Sequence, residues 1–110
     1  MNKLPMSRAA SALIRALIHR SGTEQDRILL IEIQSVEWQS LTLTGERHVI
    51  HLKLPAPDAA AVLHSLMFGL EDAEFAIPSL IVADIAVMGH PHKDADGSIT
   101  LSIEALTIAE

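Results

Sequence analysis

Apolar residues recur along this chain with two different periods, and each change of period marks a new element. From Ser7 onward Leu13, Ile14, Leu17 and Ile18 fall on one side of a helix, with Arg8, Ser11 and Arg15 on the other. This spacing predicts a helix over about residues 7–20 with Ser7 as its N-cap. His19 and Arg20 bring positive charge to the negative end of the helix dipole, and Ser21-Gly22 supplies the stop. A short polar link, "TEQD", follows.

At Arg27 the texture turns to the β-branched run "ILLIEIQSVEWQSLTLTGERHVIHLKL", closed by Pro55. Leu29, Ile31 and Ile33 share one parity, Val36 and Trp38 take the other, and Leu41 and Leu43 return to the first. Two phase switches predict a bulged or bent strand. Thr44-Gly45-Glu46 is the predicted hairpin turn, with Gly45 free to adopt positive φ. Beyond it His48, Ile50, Leu52 and Leu54 alternate with Arg47, Val49, His51 and Lys53, the period of a half-buried strand.

"PAPDAAAVLHSLMFGLED" predicts a second helix entered through Pro57-Asp58, burying Leu63, Leu66, Met67 and Leu70. The almost continuous apolar run "SLIVADIAVM" predicts a central strand covered on both faces. "SITLSIEALTI" alternates as a last strand, pairing with its predecessor across a connection from Gly89 to Gly97.

The expected fold is therefore α+β in the order αββαββ, with two helices on one face of a four-stranded, mostly antiparallel sheet. Moving the last strand to the front gives βαββαβ, so a permuted ferredoxin-like sandwich is the expected architecture. One domain spans residues 1–110, with residues 1–6 as an unstructured start. Helices confined to one face leave the opposite sheet face open. Strand parity assigns Val49, His51, Leu80, Val82, Ala86 and Thr100 to it, among Glu32, Asp84 and Glu104. An apolar excess outside the helix-facing stripes points to self-association, a homodimer meeting through this face.

Composition narrows the function classes. Hydrophobic residues make up 49% and aromatics only 3%, so the core must be aliphatic and the sheet lacks the stacking platform of an RNA binder. The acidic chain, net charge −6, holds all 14 of its acids after residue 22 against four bases, which repels nucleic acid. The acid-free start, "SRAASALIRALIHR", offers a peripheral membrane or protein docking helix as a minor alternative to a core helix. No apolar run is long enough to span a bilayer. The absence of cysteine excludes disulfides and thiolate chemistry and is compatible with a cytoplasmic location.

Two constellations are candidates for chemistry. Asp84 interrupts the run "LIVADIAV", and with His51 or Glu32 beside it on the open face it would form an acid/base group. In "MGHPHKDADGS" the imidazoles of His90 and His92, with Asp94, have the residue types and spacing of a divalent transition-metal site. The competing reading is a polar turn shaped by Pro91 and Asp96-Gly97. Two imidazoles do not make a structural site, so a third ligand, His51 or Asp84, would have to come from elsewhere in the fold. No nucleophile elbow or phosphate-cradling glycine loop occurs. A non-enzymatic binding or assembly module that needs no cofactor is the first expectation; an enzyme or a ligand- or metal-binding protein is the alternative.

Overall fold

The computed structural model describes residues 6–110, so the expected unstructured start lies, Met6 apart, outside the described residues. Helix α1 (Arg8–Ser21) begins where Ser7 Oγ accepts the Ala10 N–H at 3.1 Å and ends at left-handed Gly22. There follow β1 (Leu29–Gln39), β2 (Thr44–Leu54), α2 (Ala59–Met67), β3 (Leu80–Lys93) and β4 (Ile99–Ala109), with single 3-10 turns at Gln25–Arg27 and Leu70–Asp72. The element order and the α+β class are those the sequence predicts. The strands form one sheet in the order β1-β2-β4-β3, every neighbouring pair antiparallel. β2 and β3 thus run in the same direction on either side of β4, and α2 lies in the connection between them.

Both helices contribute to a single core. Leu13, Ile14 and Leu17 of α1 and Ala59, Val62 and Leu66 of α2 join Ile50, Leu52 and Leu54 of β2 and Ile99, Leu101 and Ile103 of β4. Ile50 and Ile103 are directly paired and fully buried, and each such side chain contributes about 2 kcal/mol. The apolar stripe of α1, Leu13, Ile14 and Leu17, is therefore buried in the core.

α2 is shorter than its sequence pattern. Phe68 leaves the helical region and Gly69 turns left-handed, so Leu70 reaches the core from a separate turn. Arg20 completes the end of α2 from the neighbouring helix, donating to the carbonyls of Leu66 at 3.3 Å and Phe68 at 2.5 Å. At the other end Asp58 occupies the N-cap position without capping, its carboxylate pairing instead with Arg27.

Three strand details differ from expectation. The first hairpin turns at Ser40–Leu43, not at Thr44-Gly45-Glu46: the Ser40 N–H donates to the Leu43 carbonyl at 2.9 Å, and Ser40 Oγ accepts the Leu43 N–H. Gly45 lies inside β2, where a Cβ would overlap the Thr107 carbonyl oxygen on β4. Its glycine serves close approach of two strands, not a turn.

The bulge predicted in β1 exists, but it falls at Ile31, between Leu30 and Glu32. Val36 and Trp38 need no second phase switch, because they simply face the open side opposite Arg47 and Gly45. Finally, β3 is an edge strand rather than a central one, and most of it is exposed. Bulges at Val82/Asp84 and Met88/His92 shift its phase, so that Leu80 and Val82, expected on the open face, pair with Ala109 and Thr107 on the helix side.

Candidate functional site

Register fixes which side chains share the open face, since residues paired across antiparallel strands point the same way. Reading across β3, β4, β2 and β1, one row holds Met88, Ser102, His51 and Glu32. On one side of it stands the row His92, Thr100, Lys53 and Leu29; on the other come Ala86, Glu104, Val49 and Gln34. Farther along are Asp84, Leu106, Arg47 and Val36, then Ile81, Ile108, Gly45 and Trp38. The face is thus polar and histidine-bearing at one end and apolar at the other.

At the polar end a depression of about 390 Å³ is lined by Glu32, His51, Met88, His90, His92, Thr100 and Ser102, with Ile31 at its edge. Bulges flank it on both sides. Ile31 has no partner on β2, and Gly89, His90 and Pro91 have none on β4. Such insertions bend the edge strands and re-aim their side chains. His51 is held from the floor, its Nδ1 2.6 Å from Ser102 Oγ, which leaves Nε2 for the depression. Glu32 Oε2 accepts from Gln34 Nε2 at 3.2 Å, drawing the carboxylate along β1.

The predicted constellations are rearranged accordingly. His51 and Glu32 are direct cross-strand neighbours, as an acid/base pair requires, but Asp84 is two strands and two rows from His51, roughly 15 Å by strand geometry. Asp84 is exposed, in a row with Leu106 and Arg47. It cannot exchange a proton directly with His51.

"MGHPHK" is not a connecting loop but the bulged end of β3, with Pro91 where the ladder needs no donor. The connection is only Asp94–Ser98, and its carboxylates close it: Asp96 Oδ1 accepts the N–H and hydroxyl of Ser98 at 2.9 and 2.6 Å, and Asp94 Oδ2 accepts the same hydroxyl at 3.3 Å. These bonds hold Asp96 below the ordinary carboxylate range. Asp94 Oδ1 also lies 3.3 Å from His92 Nε2. Among the described residues no three histidine, cysteine or acidic side chains converge where they could share a metal ion.

No protein-family model matches the chain, and a search of curated proteins finds no match.

A second polar group, unforeseen in the sequence as a group, lies on the helix-covered side. His48 is 1% exposed, its Nδ1 2.7 Å from Ser35 Oγ and its Nε2 2.9 Å from Thr107 Oγ1. Thr107 Oγ1 in turn donates to the Glu46 carbonyl at 3.5 Å, so a neutral ring fits a chain in which Ser35 donates to Nδ1 and Nε2–H donates to Thr107. The burial of His48 was legible, because it is in phase with Ile50, Leu52 and Leu54. Its partners come from β1 and β4 and carry no sequence signal.

Burial pushes the His48 imidazole below its ordinary value of 6.5, and Glu46 opposes this more weakly. The unfolded chain therefore takes up a proton at a higher pH than the folded one, so His48 withdraws stability as pH falls below about 6.5, until the folded ring itself titrates. Urea melts between pH 7.5 and 5 are expected to show a loss of stability that is smaller in His48→Gln. Equal slopes in the two proteins would contradict the assignment.

Proposed function

We propose that the chain is a non-enzymatic binding or assembly module that works as a homodimer through the apolar end of its open sheet face. The observation that carries this reading is the composition of β3. An apolar run suited to a strand covered on both faces lies at the sheet edge, leaving Ile81 48% exposed. Val36, 66% exposed, stands across the same end of the face on the other edge strand. Between them, on β4, Ile108 pairs with Ile81 and is only 6% exposed, so the exposed apolar surface at this end is that of Ile81 and Val36.

Asp84 and Arg47 in one row supply opposite charges for a self-complementary contact.

A permuted ferredoxin-like sandwich is the architecture we propose, supported by the split arrangement of parallel β2 and β3 about β4. A cytoplasmic setting suits the cysteine-free sequence. Light scattering on sized protein at tens of micromolar is expected to give twice the chain mass. Val36→Asp/Ile81→Asp is expected to give a monomer whose melting is still cooperative. A wild-type monomer would overturn the proposal.

A further inference from the structure

We infer that the depression at the polar end of the open face binds a small molecule through a carboxylate or phosphate group. Three of the six histidines of the chain line this one depression, His51 from the floor and His90 and His92 from the bulged edge. Thr100 and Ser102 add hydroxyls beside them, and Lys53 stands in the adjoining row between Thr100 and Leu29. Imidazole N–H, hydroxyl and ammonium groups share one capability, donation to an oxyanion. Their concentration here is set against a body that carries 14 acids.

The charged groups around the depression are few enough to assign, and one of them, Glu104 on β4, stands exposed in the row adjoining Ser102 and His51, where it opposes an anion. Glu32 on β1 faces His51 from the opposite rim, but its carboxylate is already engaged by Gln34 at 3.2 Å. Asp94 is shared between His92 and the hydroxyl of Ser98, and Asp96 is bound to Ser98. Lys93 ends β3 beside His92. The floor is rigid because it consists of the two central strands, paired without a register shift from Gly45 to Leu54. The bulges bend both edge strands beside the depression, which is the concave part of the open face. This site uses the end of the face opposite to Ile81 and Val36, so it does not rest on association between copies.

Histidine Cε1–H resonances report the site directly, and the chain contains its own controls in His19 and His64 on the two helices. Titration of the full chain with inorganic phosphate, and separately with acetate, is expected to shift the His51, His90 and His92 signals saturably. His19 and His64 should stay unmoved. The arm with the lower Kd identifies the preferred oxyanion. Binding should weaken about tenfold in His51→Ala, and tighten in Glu32→Gln where the opposing charge is gone. Shifts that are linear in both salts, or equal at His19 and His64, would overturn the inference. So would unchanged affinity in both variants.

Discussion

Deletion of residues 1–22 is expected to leave a chain with no cooperative thermal transition. Leu13 and Leu17 are at most 3% exposed and Ile14 is 9% exposed, all within the one core cluster. Losing three large buried side chains at about 2 kcal/mol each removes some 6 kcal/mol, comparable to the whole stability of a typical domain. The deletion also strips the end of α2 of Arg20, leaving the carbonyls of Leu66 and Phe68 without that donor. Circular dichroism during a thermal melt decides the matter. A sigmoidal transition in the truncated chain would show that α1 is an appendage and would reopen its use as a docking helix.

Gly45→Ala is expected to destabilise the fold by about 3 kcal/mol, the upper end of what overpacking costs in a close-packed site. The added methyl meets the Thr107 carbonyl and the backbone of Ile108, so relief requires β2 and β4 to separate at the point where the sheet is joined. In a domain of this size the loss lowers Tm by more than about 10 °C. Gly22→Ala supplies the comparison. There a Cβ meets nothing within 4 Å, and only the left-handed φ of 69° is unfavourable, a cost near 1 kcal/mol. If the two substitutions cost the same, the close approach at Gly45 does not limit stability.

These two glycines also show what the sequence could convey. Gly22 follows an amphipathic run and a basic last turn, so its role as a helix stop is local and readable. Gly45 carries the same local signature as a hairpin glycine, and only the arrival of β4, some sixty residues later, makes it a packing glycine. The turn itself was hidden, since "SLTL" contains no glycine, proline or asparagine and is closed by the hydroxyl of Ser40.

Element order and class were legible because each element declares its own period over ten or so residues. Edge or central position was not: the apolar pattern of β3 states what the strand can bury, and not what is present to cover it. Among the candidate residues, His51 and Glu32 were rightly placed on one face by parity. The two-residue offset of the Met88/His92 bulge then brought His90 and His92 to the same depression. Asp84 was separated from them because rows, unlike faces, depend on register.

The sheet also has a seam with kinetic consequences. β1 with β2 and β3 with β4 close through short turns, whereas the β2–β4 pairs join residues 45 to 63 positions apart. The entropy of closing so long a loop is lost before any contact along the seam repays it. Each hairpin can therefore zip locally and rapidly, and the docking of one αββ half against the other sets the rate at which the native state is reached. Substitutions that perturb this docking slow folding, while those at the outer edges of β1 and β3 chiefly hasten unfolding.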